Sequence, residues 1–95
     1  PSKDYDNGAV VNDKAVSTLE ATEVYPNPAT NYITVSTEVE TGTIRILNLL
    51  GQEMSSHEIS SKLTGIDITE LGEGIYFVSI ESGTMKITKK IKVLY

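Results

Sequence analysis

Cysteine and tryptophan are absent from this sequence, and histidine and phenylalanine occur once each. Without cysteine there is neither a disulfide scaffold nor thiol chemistry, although that absence does not indicate a compartment. One imidazole with no thiolate leaves no zinc site, so neither metal nor cofactor is expected. Nucleophilic catalysis needs a nucleophile, a base and an orienting group, and His57 is the sole imidazole on offer. Ser55 shares its strand face and Ser56 does not, but no oxyanion loop accompanies them. His57 therefore reads as an exposed strand histidine, and the chain as a protein without enzymatic activity. The lack of tryptophan also removes the usual platform of a carbohydrate-binding module. Tyr25, Tyr32, Tyr76, Phe77 and Tyr95 are scattered along the chain, which suits packing better than a sugar-binding face.

No apolar run approaches the roughly 18 residues of a membrane span. The first residues hold no signal-peptide core, and a start without Met reads as an excised piece; if the chain is exported, its export signal belonged to a longer precursor. Cations are scarce over most of the chain. Residues 1–85 carry 4 Lys or Arg against 13 Asp or Glu, whereas the last ten carry Lys86, Lys89, Lys90 and Lys92 and no acid. A net charge of −5 argues against nucleic acid as a partner, because that affinity comes from cations set against phosphates.

What is present is strand pattern and turn chemistry. Ninety-five residues make at most one domain, which buries only roughly 60–65% of the surface its unfolded chain exposes. Residues 1–22 are polar and read as a flexible linker or the frayed end of a preceding domain, with the folded domain over 23–95. Asp4 to Gly8 resembles the start of a calcium loop. Gly8 stands where a third oxygen ligand is needed and Ala15 where a bidentate Glu is needed, so linker is the better reading.

Glu23 to Tyr25 is a short strand that runs into Pro26-Asn27-Pro28, a rigid corner that cannot be helical. Tyr32 to Thr37 alternates, with Ile33 and Val35 inward, and Thr43 to Leu47 alternates after a polar turn closed by Gly42. Asn48-Leu49-Leu50-Gly51 reads as a hairpin connection with Gly51 at positive φ. The return strand from Gln52 to Ile59 has Met54 and Ile59 as core candidates and suits an edge strand or a bulge. A polar link over 60–65 leads to the densest stretch, Ile66 to Ile80. There two alternating strands flank Gly72 and Gly74, with a tight reversal between them. Leu71 in that corner is expected to cap one end of the core. Gly74 supplies either a backbone conformation closed to other residues or room for a ring. The last strand runs from Met85 to Val93.

Seven short strands with regular turn signals predict an all-β fold, a seven-stranded antiparallel immunoglobulin-like sandwich with Greek-key connections. An open barrel is the competing architecture. On the last strand Lys86, Thr88, Lys90 and Lys92 share one face, with same-face neighbours about 7 Å apart. Met85, Ile87, Ile91 and Val93 share the other face with Lys89, whose ammonium must snorkel past an edge or a bulge. Lysines also blunt an edge strand against aggregation, the plain reading of the stripe.

The Tyr25-Pro26-Asn27-Pro28-Ala29 corner resembles a known family, as do the Ile44-x-Ile46-x-Asn48-x-x-Gly51 hairpin, the Ile66 to Val78 stretch with Gly74-x-Tyr76, and Lys86-x-x-x-Lys90 followed by Ile91 and Val93. Together, in this order from Val24 to Tyr95, they are similar to the C-terminal sorting domain of type IX secretion system cargo. The resemblance implies a sandwich at the end of a larger protein, exported through the periplasm of a Gram-negative bacterium to the cell surface or medium. It implies an outer-membrane translocon as partner and a sortase-like peptidase that removes the domain and attaches the cargo to a surface lipid. Pro26, Asn27, Pro28, Gly51, Gly74 and Tyr76 are then expected to define the fold. Lys86, Lys90 and Lys92, with Ile91 and Val93, are expected to meet the translocon, by strand addition at a free final strand. Weak homodimers through exposed edges are a further expectation. The alternative is a retained, non-catalytic adhesive or carbohydrate-binding sandwich.

Overall fold

A computed structural model describes residues 21–95. Most of the expected linker, and Asp4 to Gly8 with it, lies outside the described residues. Seven strands follow in order: β1 Glu23–Tyr25, β2 Tyr32–Ser36, β3 Thr43–Leu47, β4 Glu53–Glu58, β5 Leu63–Asp67, β6 Gly74–Ser82 and β7 Met85–Val93. They form two antiparallel sheets, ordered β1-β2-β5 and β4-β3-β6-β7, and no helix occurs among the described residues. The barrel alternative is not what forms, since the two sheets are hydrogen-bonded separately.

Period-two alternation turns one side of each strand inward, and the buried residues come from β2, β3, β5, β6 and β7. Ile33 and Val35 of β2 and Ile66 of β5 oppose Ile44 and Ile46 of β3, Tyr76, Val78 and Ile80 of β6, and Ile91 and Val93 of β7. Each buried isoleucine or valine contributes about 1.5–3 kcal/mol against exposure, so this core is the main source of stability. Ala29, Val39, Ile59 and Ile68 close it from outside the strands. Leu71 packs against the same cluster, as its place in the corner implied.

The densest stretch differs from its sequence reading in one respect. β5 and β6 do not pair with each other: β5 lies against β2 and β6 between β3 and β7, so residues 68–73 cross between sheets instead of reversing within one. β5 also starts earlier than the polar link suggested, at Leu63, with Gly65 opposite Thr34. Gly74 has φ +150°, while a Cβ there would meet nothing within 4 Å. Its requirement is therefore conformational and not steric. The Tyr76 hydroxyl donates to the Gly72 carbonyl at 2.8 Å, which braces the crossover.

β4 is both an edge strand and bulged. Ile46 pairs with Ser55 and Leu47 with Glu53, so Met54 is the extra residue. That bulge turns Met54 out to 46% exposure, correcting its assignment to the core, while Ile59 is buried as expected. Gly51 adopts φ +84° in the β3–β4 turn. The peptide bonds before Pro26 and Pro28 are both cis.

The sandwich has two unlike ends. At one, Thr37 N–H donates to Lys62 O at 2.9 Å, Ile59 N–H to Gly42 O at 2.9 Å and Ser82 Oγ to Thr41 O at 2.9 Å, among polar loops. At the other lie the Pro26-Asn27-Pro28 corner, the β3–β4 turn, the crossover and Leu94-Tyr95. There Tyr95 donates its N–H to Glu73 Oε2 at 2.9 Å and its hydroxyl to Ile68 O and Leu71 O.

Candidate recognition surface

β7 is the outer strand of the four-stranded sheet, bonded to β6 in unbroken register from Gly74↔Val93 to Ser82↔Met85. Its exposure alternates: Lys86, Thr88, Lys90 and Lys92 are exposed, whereas Met85, Ile87 and Lys89 are half-buried and Ile91 and Val93 buried. The three exposed lysines share the outer face of the sheet. Ile91 and Val93 point into the core, so they hold the strand in place and offer no surface to a partner. Lys89 sits on the inner side without a bulge. The edge position of β7 gives its stem cover and its ammonium an exit.

The edge itself is partly closed, which the alternation of side chains does not reveal. Asn27 Nδ2 donates to Lys90 O at 3.2 Å, and Lys92 N–H donates to Asn27 Oδ1 at 3.0 Å. Ala29 N–H donates to Lys92 O and Leu94 N–H to Ala29 O, both at 2.8 Å, in a parallel bridge of Ala29 with Val93. One side-chain amide and one residue thus stand in for a strand beside the second half of β7. Backbone groups alternate sides along a strand, so Lys86 and Thr88 share the outward direction of Lys90 and Lys92. Strand addition is therefore confined to the edge from Lys86 to the Lys90 N–H. The final strand is not free along its length.

Electrostatics leave the lysine stripe available. Lys86 lies opposite Glu81, but that carboxylate accepts from Arg45 at 2.7 Å. Arg45 also reaches Glu53 at 3.1 Å. Lys90 and Lys92 lie opposite Phe77 and Ile75. Among the described residues no lysine of β7 forms an ion pair.

The other candidates stay apart from this surface. His57 is half-buried and not exposed as expected, because it lies opposite inward-facing Ile44. Its Nε2 is 3.1 Å from Ser55 Oγ on the inner side of β4, with no orienting carboxylate bonded to the ring among the described residues. No cluster of metal-ligating side chains occurs among the described residues either. Asp67 is held below the ordinary carboxyl value of 3.8 by hydrogen bonds from the Thr69 side chain and backbone at 2.7 and 2.8 Å. It is fully exposed and braces the start of the crossover.

The sequence profile of the secretion system C-terminal sorting domain family matches residues 23–94. The chain belongs to this family. Comparison with curated proteins yields no match. The matched span begins where β1 begins and ends one residue past β7, so it covers both sheets. A type IX sorting domain marks its protein for export to the cell surface or beyond in Gram-negative bacteria, and it works by meeting the secretion machinery. The family is not one of enzymes. In this sorting domain the Pro-Asn-Pro motif has a visible structural role, because Asn27 fastens the corner to the lysine-bearing strand.

Proposed function

We propose that this sorting domain carries a larger cargo protein from the periplasm to the outer-membrane translocon and docks there through Lys86, Lys90 and Lys92. The observation that carries the reading is the placement of these three cations on one exposed face of a strand fastened at its far end by Asn27 and Ala29. A fixed stripe of unpaired cations favours an acidic partner and a fast, salt-sensitive encounter. The open edge from Lys86 to Lys90 has room for a short added strand, with backbone bonds giving affinity and the flanking lysines specificity. Ile91 and Val93 contribute by anchoring β7. The connectivity is taken as immunoglobulin-like with Greek-key connections, a scaffold that serves to present this strand.

After export, a sortase-like peptidase removes the domain by a cut before residue 23 and attaches the cargo to a surface lipid. The test fuses residues 1–95 to the C-terminus of an inert periplasmic reporter. It is expressed in a host with the type IX system and in a translocon-deficient sibling, and the external reporter is weighed by mass spectrometry. Export in the first host only, with mass lost up to a site before residue 23, is the expected result. Export with the domain intact would remove the peptidase step, and retention in both hosts would overturn the reading in favour of an adhesive module.

A further inference from the structure

Leu49 and Leu50 occupy the tip of the β3–β4 turn and are 66% and 83% exposed. Turns ordinarily carry polar residues, and the packing of this fold makes no use of the two side chains. Their position is nevertheless set. Asn48 Oδ1 accepts from the N–H of Leu50 at 2.9 Å and of Gln52 at 3.0 Å, and Asn48 Nδ2 donates to Gln52 Oε1 at 2.8 Å. Opposite them lie Glu73, Gly74, which has no side chain, Ile75 and Tyr76, and the two segments line a shallow, open surface groove of about 240 Å³. That is smaller than the roughly 300–1,000 Å³ of small-molecule sites and suits one large side chain.

The groove continues onto the outer face of the four-stranded sheet. Ile75 lines it and lies level with Lys92, while Phe77 lies level with Lys90 on one side and Leu47 on the other. Leu47, Phe77 and Ile75 are half-buried and, among the described residues, no element lies over them. An apolar row therefore ends at two exposed lysines. We propose that the groove and this row dock a protein partner that inserts one aromatic or branched aliphatic side chain between the turn and Gly74, with carboxylates beside it facing Lys90 and Lys92. The inference rests on the sorting-signal reading and names the chemistry of the surface that the signal meets. Glu73 also lines the groove, its carboxylate accepting from the Tyr95 N–H at 2.9 Å. A uniformly anionic bilayer would face it along with the lysines, whereas a protein segment can set its carboxylates against Lys90 and Lys92 and only an uncharged side chain against Glu73. The groove is also at the end remote from Glu23, where the chain enters β1.

Two measurements test this. The first titrates the 95-residue chain by NMR with a capped pentapeptide of one phenylalanine between pairs of aspartates, and with its lysine-flanked counterpart. Shifts at Leu49, Leu50, Gly74 and Ile75 are expected, with binding at least about threefold tighter for the acidic peptide at low salt. Leu49→Ser with Leu50→Ser should abolish them at an unchanged melting temperature, since exposed substitutions of this kind cost little. Equal binding of both peptides, or shifts elsewhere, would overturn the proposal. So would a response of the two leucines to phosphatidylglycerol vesicles but not to the acidic peptide. The second measurement puts the double variant into the export reporter, where a loss of about tenfold or more is expected, and unchanged export would overturn the proposal. A wild-type reporter that fails to leave the cell would sink the sorting reading alone, with the titration still deciding the groove.

Discussion

A methyl group at Gly42 would sit 2.2 Å from the carbonyl oxygen of Glu81 and 3.2 Å from Cδ1 of Ile59. The nearer obstacle is backbone, so β3 or β6 must shift to admit any side chain there. Gly42→Ala is expected to destabilise by about 1–3 kcal/mol, read as a drop in melting temperature of roughly 5–20 °C. Gly65 is the control. Its Cβ would meet nothing within 4 Å and its φ is not positive, so Gly65→Ala should leave the melt unchanged or raise it slightly. At Asp67 the hydrogen bonds from Thr69 hold the folded midpoint below 3.8. A depressed carboxyl value contributes stability that is present above 3.8 and disappears as pH falls through the folded midpoint. A carbon-detected titration should place that midpoint below 3.8, and Thr69→Ala should move it upward by removing the side-chain donor while keeping the backbone one. An Asp67 midpoint that ignores Thr69 would refute the assigned cause.

Among the elements, β7 shows how far sequence reasoning reaches. Its bounds, its lysine face and the inward positions of Ile91 and Val93 follow from alternation alone, since a strand with one buried side has to repeat every second residue. The cover on its edge does not follow. Asn27 meets Lys90 and Lys92 across 63 and 65 residues, through a side-chain amide that no local pattern reports. The bulge at Met54 was legible as an alternative, but which residue it would expel depended on the register with β3. β5 was harder still, because Leu63 and Gly65 face outward and only Ile66 marks the buried side. Asn27→Ala removes two bonds worth about 0.5–1.5 kcal/mol each, and should cost roughly 1–2 kcal/mol in a denaturant melt. Amide exchange should accelerate about tenfold or more at Lys92 and stay as it was at Lys86 and Thr88. Equal acceleration along β7 would mean that the corner supports the whole strand and not its second half.

Taken as a whole, the molecule separates what keeps it folded from what it shows outside. Changing Lys86, Lys90 and Lys92 to Gln takes the net charge from −5 to −8, yet touches no ion pair among the described residues. The melting temperature should therefore move by no more than a few degrees while export of the reporter falls sharply; undiminished export would remove the lysines from the recognition surface. This separation was partly readable, because the basic last strand stands out against an acidic body. The apolar end was not, because Leu49 and Leu50 look like ordinary neighbours of a turn until the structure leaves them uncovered. The fastening of residues 27–29 to residues 90–94 also bears on timing. A ribosome delivers the corner some sixty residues before the strand it must grip, so no nascent intermediate can own the finished lysine stripe. On the docking proposed above, the recognition surface is complete only once β7 has emerged, and a chain interrupted before it would lack that surface.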